Sequence, residues 1–259
     1  DLSINGYEHD YYGAVFGYDN YIDNETIRGC AFSFQQGDIV TNDNEGSSDY
    51  MAYNISPYQS KKLDNGNQLT YQGSLSATNI DSKRNLIFGD INRTATSDYA
   101  VYGLGANAEY ALNPIHQLSG KLDTRLKAGY QMSIQESFDE SGADSLNLSV
   151  NNKIYHMANV GLSETLSWDR KGENSSYSPF VSLDLGLQKY LGDAQSTQRF
   201  IGQNTFKSKI GKETTVHTSI KTGLLFNSKN NSSLSFIVGY NTTPSSEDIT
   251  GSFLYKKVW

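Results

Sequence analysis

The sequence predicts an all-β chain whose strands form a 12-stranded antiparallel transmembrane β-barrel. Three observations lead to this fold class: polar and apolar residues alternate over long segments, the polar connections alternate in length, and the last segment is an aromatic strand. The composition agrees, because 18 Tyr and 23 Gly against only 4 Pro favour strands and turns over helices.

Near the start of the chain, one segment alternates cleanly and two do not. In residues 11–19 apolar and other residues alternate cleanly. Successive side chains of a strand point to opposite faces, so this pattern predicts a strand. Their apolar face carries Tyr12, Ala14, Phe16 and Tyr18. In residues 26–36, Arg28 shares a face with apolar side chains, and in residues 50–63 neither face is clearly apolar. The apolar side chains that share the face of Arg28 are Cys30, Phe32 and Phe34.

The clearest alternation lies in residues 121–134. The even positions are Leu122, Thr124, Leu126, Ala128, Tyr130, Met132 and Ile134. The odd positions are Lys121, Asp123, Arg125, Lys127, Gly129, Gln131 and Ser133. One face has no charge and the other has no large apolar residue, which predicts a strand between an apolar and an aqueous environment.

The same alternation recurs along the rest of the chain. Its segments are 69–78, 99–112, 177–191, 215–226 and 234–240. Residues 154–168 depart from it, because His156 and Glu164 lie on an otherwise apolar face. A β-bulge would shift the register there.

The polar connections between these segments alternate in length. Short turns are predicted at 20–25, 64–67, 113–118, 170–176 and 227–231. Longer loops are predicted at 37–48, 81–96, 137–151, 193–213 and 243–248. Short periplasmic turns and long external loops are typical of bacterial outer-membrane barrels, whose strand number is even. A first strand is therefore expected within residues 3–7, which brings the count to twelve.

The last predicted strand, residues 249–259, carries an apolar stripe that runs to the end of the sequence. The alternate positions are Ile249, Gly251, Phe253, Tyr255, Lys257 and Trp259. A strand that finishes on an aromatic side chain is expected to pair along its edge, as it does when a sheet closes into a barrel.

A soluble β-sandwich is the alternative fold, since its strands alternate too. Predicted strands of 12–18 residues are longer than the usual five or six, and aromatic residues collect near their ends, where membrane girdles lie. No run of 18 apolar residues exists, so no transmembrane helix is expected. The net charge of −7 argues against a nucleic-acid partner.

A barrel of this size is predicted to enclose a channel. Twelve strands give a backbone diameter of roughly 25 Å, which leaves a hydrated passage of about 10 Å inside the side chains. That width admits a helix or an extended hairpin. The residues predicted to line the pore are Asn107, Glu109, Lys121, Asp123, Arg125, Lys127, Asp184, Gln188 and Lys221.

No catalytic residue, metal site or cofactor is predicted, and the chain is expected not to be an enzyme. A hydrolase needs a cluster such as Ser, His and Asp held together, whereas the histidines lie in separate segments. They are His9, His116, His156 and His217. Cys30 is the only cysteine, so neither an intramolecular disulfide nor a cysteine metal cluster can form.

Several segments follow one another in an order and spacing that resemble a known family. They are Gly17-Tyr18-Asp19, Ile27 to Phe34, Gly37-Asp38 and Tyr50 to Tyr58. Together with the chain length and the terminal aromatic, they resemble the translocator β-domain of type V autotransporters from the outer membrane of Gram-negative bacteria.

The resemblance implies an integral outer-membrane protein that exports and anchors an N-terminal passenger domain. It implies insertion by the barrel-assembly machinery with periplasmic chaperones, and a C-terminal assembly signal formed by Phe253, Tyr255 and Trp259. The expected partners are the chain's own passenger and linker, this machinery and outer-membrane lipid, with the barrel a monomer. Residues 1–259 are expected to be a single barrel domain, without the passenger or the helical linker that family members carry ahead of it.

Two other functions are compatible with the same residues. A small outer-membrane diffusion channel would have the same fold, and a soluble β-sandwich would act as a binding module. The sequence ahead of residue 1 separates the first two functions, because a long β-helical passenger indicates export and a signal peptide directly before residue 1 indicates a pore.

Overall fold

The structure is a computed structural model that describes residues 6–41, 45–117, 120–173, 175–192, 195–209, 213–228 and 232–257. Its main feature is one antiparallel sheet of 13 strands. Those strands are β1 (Tyr7–Tyr21), β2 (Thr26–Thr41), β3 (Gly46–Lys62), β4 (Gln68–Phe88), β5 (Ile91–Ala111), β6 (Ile115–Gln117), β7 (Gly120–Gln135), β10 (Lys153–Ser167), β11 (Arg170–Lys171), β12 (Ser175–Tyr190), β15 (Thr214–Ser228), β16 (Ser232–Thr243) and β17 (Ser246–Lys257).

The long strands pair in chain order from β1 at one edge to β17 at the other, and the sheet curls into an incompletely closed barrel. The predicted all-β antiparallel fold is confirmed. Asp19 of β1 and Lys256 of β17 form an ion pair at 2.9 Å, although no backbone pairing joins the two strands within the described ranges. The face that carries these two side chains is therefore the concave face of the sheet.

The described ranges contain eleven long strands, whereas the sequence pattern counts twelve. The difference lies at the start of the chain. Residues 3–5 of the expected first strand lie outside the described ranges, and Tyr7 already belongs to β1, which pairs with β2 without interruption as far as Tyr21. A separate strand that ends at Tyr7 was thus a wrong prediction.

Strands β4 and β5 form a long hairpin of 21 residues on each side, so the loop predicted at 81–96 is wrong. The two strands pair along their whole length and turn at Gly89, whose φ of +55° suits glycine. Polar residues occupy both faces near the tip of this hairpin. A search for segments with one apolar face therefore misses strands of this kind.

Two of the predicted longer loops, 137–151 and 193–213, contain a second sheet. Its strands are β8 (Phe138–Asp139), β9 (Leu148–Val150), β13 (Gln195–Phe200) and β14 (Phe206–Lys209). The order is β14-β13-β9-β8, and the pairing of β13 with β9 joins the two loops. We call the end of the barrel that carries this sheet the loop end, and the opposite end, with the connections 22–25 and 63–67, the turn end.

The second sheet is anchored on the β4–β5 hairpin through Glu140. Arg84 donates two hydrogen bonds to the carboxylate of Glu140, at 2.9 and 2.5 Å. The N–H of Leu148 donates to the same carboxylate at 2.7 Å. Tyr99 stacks on Phe138 with ring centroids 4.3 Å apart. Charge-assisted bidentate bonds of this kind hold the loop in one position.

Strand β10 pairs with β7 in an uninterrupted register from Lys153↔Gln135 to Ser167↔Lys121. The β-bulge considered for this segment is therefore absent. His156 and Glu164 remain on the apolar face.

The described part of the chain has almost no hydrophobic core. Its buried apolar residues are Ala95, Ala100, Ala143 and Val150, and three of the four lie near the loop end. No described helix is long and apolar enough to cross a membrane. A soluble sandwich of this length would bury large apolar side chains between two sheets, so this alternative does not fit.

Candidate functional site

All nine residues predicted to line a pore lie on one face of the main sheet, which we call the polar face. Glu109 of β5 pairs with Lys127 of β7, and Asn107 lies in the same cross-strand row as Asp19 of β1. The register of β15, β16 and β17 places Lys221 on the same face of the sheet as Lys256. The polar face is therefore the concave face.

The seven charged members of this set all form ion pairs. The pairs are Lys121–Asp123 at 3.1 Å, Arg125–Glu109 at 2.9 Å, Lys127–Asp184 at 2.9 Å and Lys221–Asp184 at 3.1 Å. These side chains are 20–44% exposed. Pairs with this exposure contribute about 0–1 kcal/mol each to stability. These four ion pairs therefore keep the concave wall charged and hydrated at little cost in stability.

Tyrosines of β3 explain why residues 50–63 show no clear apolar face. Tyr58 lies over Gly29 on the polar face, and its hydroxyl donates to Asp19 at 2.7 Å. Tyr50 lies over Gly37 and accepts a hydrogen bond from Gln35 at 2.6 Å. Glycine leaves room for a neighbouring aromatic ring. The sequence signal was present, as aromatic residues and glycines on facing strands, but it requires the register to be read.

The convex face exposes large apolar side chains on every long strand, and we call it the apolar face. Ile249 is 77% exposed, Tyr18 73% and Phe16 64%. Soluble proteins rarely expose apolar patches larger than a few hundred Å². A sheet with an exposed apolar convex face and a charged concave face is suited to a barrel whose outside contacts lipid and whose inside contacts water.

Five aspartates form one cross-strand row on the apolar face towards the loop end. They are Asp10, Asp38, Asp49, Asp81 and Asp98, each paired with the next across β1 to β5. All five are exposed, and the salt bridges seen within the described ranges include none of them. They form no metal-binding cluster among the residues described. Sequence reasoning missed this row, because only the strand register aligns its members.

On β2 the apolar face has no charge between Arg28 and Asp38, a span of ten residues (28 to 38). Ten residues at 3.4 Å each, tilted by about 40°, span about 26 Å along the barrel axis. The apolar band of outer-membrane barrels is about 25 Å tall. The two charges thus mark the limits of the membrane-facing band on this strand.

Three other polar groups on the apolar face, Arg28, Glu164 and His156, have hydrogen-bond partners on neighbouring strands. Arg28 donates to Gln59 at 2.6 Å, and Glu164 accepts from Thr124 at 2.8 Å. His156 and the Tyr130 hydroxyl are hydrogen-bonded at 2.6 Å. Such bonds reduce the cost of placing a polar group next to lipid.

The residues of the expected C-terminal signal divide into two groups. Phe253 and Tyr255 lie on the apolar face of β17, and Phe253 packs on Phe236 with ring centroids 5.0 Å apart. Trp259 lies outside the described residues.

The four histidines belong to four different strands, β1, β6, β10 and β15. His9 is hydrogen-bonded to Tyr50 at 2.8 Å. No described group of three or more His, Cys, Asp or Glu side chains could hold a metal ion.

The curled antiparallel sheet, its exposed apolar band and its charged concave wall define a class, the integral β-barrels of the bacterial outer membrane. The family model described as the autotransporter beta-domain matches residues 1–241. The chain belongs to this family and is an outer-membrane translocator for passenger export.

Solved structures of other proteins share the fold. The translocator domain of the autotransporter NalP from Neisseria meningitidis is 12% identical, with a TM-score of 0.69 over 95% of this chain and 80% of that chain. The beta domain of the Bordetella autotransporter BrkA is 15% identical, with a TM-score of 0.66 over 96% and 90%. The transport unit of AIDA-I from Escherichia coli is 13% identical, with a TM-score of 0.54 over 98% and 84%. A comparison with curated protein sequences finds no match.

Proposed function

We propose that the chain exports its own passenger along the polar face and anchors it in the outer membrane through the apolar face. The nine residues listed for the polar face line the passage in this proposal. The observation that carries it is the ladder of paired charges on the concave wall. Paired charges keep the surface hydrated without a large net charge of either sign, so a segment of mixed sequence can pass.

The barrel is proposed to close with one further strand between β1 and β17. Counted along the sheet, β1 is the first long strand and β17 the eleventh, so the two run in the same direction. Direct pairing would be parallel, whereas outer-membrane barrels are antiparallel with an even number of strands. One strand that runs opposite to both satisfies this rule and brings the number to twelve.

In this proposal residues 1–259 all belong to one barrel domain, to which they supply the eleven long strands described, and the domain is a monomer without catalytic activity of its own. The separation of the histidines among strands supports the absence of a hydrolytic site. Phe253, Tyr255 and Trp259 act as the signal for the barrel-assembly machinery, with periplasmic chaperones delivering the chain. The apolar side chains of β17 support this role.

A small diffusion channel is the second candidate, and family membership favours export over it. The test uses the natural full-length protein in intact cells. Export predicts a polypeptide on the cell surface that added protease removes, joined to a protease-resistant barrel. A diffusion channel predicts passage of small solutes into liposomes with no surface polypeptide, and that result would contradict the proposal.

A further inference from the structure

A recess interrupts the polar face between β7 and β15. In one cross-strand row, Lys127 pairs with Gly161, Gly161 with Gly186, and Gly186 with His217. Two consecutive glycines leave the floor without side chains over two strand spacings, roughly 10 Å. The recess has a volume of about 330 Å³, enough for a side chain or a short extended segment.

The charge in this recess differs from that of the other ion pairs on the polar face. Lys127 reaches over β10 to one carboxylate oxygen of Asp184 at 2.9 Å, and Lys221 contacts the other oxygen at 3.1 Å. The remaining polar-face pairs seen in the described strands are one to one, as in Lys121–Asp123. Two lysines that share one carboxylate leave a net charge of +1. Both lysine side chains are 40% exposed, so they are open to a second anion.

Buried polar atoms in the same recess also lack partners. The Nε2 atom of His217 and the hydroxyl of Ser219 are buried without a hydrogen bond in the described part of the chain. Buried polar groups are normally paired, and both residues line this recess. They add hydrogen-bonding groups without partners to the lining of the recess.

We propose that this recess binds a carboxylate side chain of the segment that passes along the polar face, through Lys127 and Lys221. The inference rests on the proposed export function and adds a chemical preference to it. Ammonium groups attract a carboxylate more strongly beside a protein wall than in bulk water. An Asp or Glu would therefore pause in the recess, whereas a Gln of the same shape would not.

The test measures peptide block of the purified barrel in a planar lipid bilayer. The probes are two soluble Gly-Ser peptides that carry Glu or Gln at every fifth position. The Glu peptide is expected to block for at least about tenfold longer than the Gln peptide. The double variant Lys127→Gln/Lys221→Gln should bring the ratio of block times to about one. The control variant Lys121→Gln should keep the ratio, because Lys121 pairs with Asp123 outside the recess. Equal block by both peptides would overturn the proposal.

A second variant separates ligand binding from a structural role. Asp184→Asn removes the competing carboxylate, so it should lengthen the block by the Glu peptide further. Shorter block in a variant that retains the folded, heat-modifiable gel mobility would contradict the proposal. The outcome is independent of export: surface display of the passenger with no Glu preference rejects the recess alone, and a Glu preference without surface display rejects the export function alone.

Discussion

Single residues on opposite faces of one strand meet opposite surroundings, and β7 shows this most clearly. Leu126 lies on the apolar face and is 50% exposed, whereas its neighbour Lys127 lies on the polar face in an ion pair. Leu126→Arg should destabilise the barrel by about 2–4 kcal/mol, as expected near the bilayer midplane. Lys127→Ala should cost about 1 kcal/mol or less. Denaturant unfolding in lipid vesicles measures both, and equal losses would contradict the face assignment.

The contact of Tyr58 with Gly29 makes a second prediction for single residues. A methyl group on Gly29 would lie 2.5 Å from the Tyr58 ring, so the ring must move and lose its hydrogen bond to Asp19. Gly29→Ala should cost about 1 kcal/mol, the usual net value of such a bond. Gly251→Ala, where nothing lies within 4 Å, is the matched control and should cost nothing.

A double-mutant cycle checks the mechanism of that loss. In a Tyr58→Phe background the hydroxyl is already absent, so the effect of Gly29→Ala should shrink. Additive losses would mean that the hydrogen bond to Asp19 is not what the glycine protects.

Among the elements, the transmembrane strands could be predicted from sequence and the structure at the loop end could not. In 121–134 every second side chain except Thr124 is apolar, and this segment lies in β7. Residues 81–85 of β4 are all polar, and so are residues 92–98 of β5 apart from Ala95, so no apolar period marks these parts of the strands. The four-stranded sheet depends on Glu140 meeting Arg84, 56 residues away, and no local pattern encodes such a contact.

The recess and the aspartate row were missed for a related reason. Each arises from register across several strands, as when Lys127, Gly161 and Gly186 fall into one row. Alternation within a strand shows which face a residue occupies. It does not show which residues of neighbouring strands lie side by side.

The anchoring of the second sheet leads to a prediction for the loop end. Arg84→Ala removes both charge-assisted bonds and leaves the Glu140 side chain, which is 8% exposed, without its cation. Local opening of residues 138–150 should become easier, and protease should cleave there about tenfold faster or more. Lys83→Ala, on the opposite face of the same strand, is the control. Unchanged cleavage in Arg84→Ala would contradict the anchoring role.

The strand β17 allows a matched test of the expected assembly signal. Phe253 and Tyr255 point to the apolar face, and Leu254 between them points to the polar face. Phe253→Ala with Tyr255→Ala should lower the amount of folded barrel in cells several-fold, while Leu254→Ala should have a small effect. Heat-modifiable gel mobility of outer membranes measures the folded amount. Equal loss from the Leu254 variant would show that simple packing, not the apolar stripe, matters.

The surface of the whole molecule has one division: the concave polar face contacts water and the convex apolar face contacts lipid. Nearly every large apolar side chain of the described strands is at least partly exposed, and only small ones are buried. Such a chain gains stability from the bilayer in place of a core. Export along the polar face and anchoring by the apolar face both follow from this division.

Cysteine labelling along β7 tests this division most directly. Single cysteines replace residues 121 to 130 in a Cys30→Ser background, and the barrel is reconstituted into liposomes and treated with a small water-soluble maleimide. The division into two faces predicts rapid labelling at the odd positions from Lys121 to Lys127 and slow labelling at Leu122, Leu126 and Tyr130. Equal labelling at odd and even positions would contradict it.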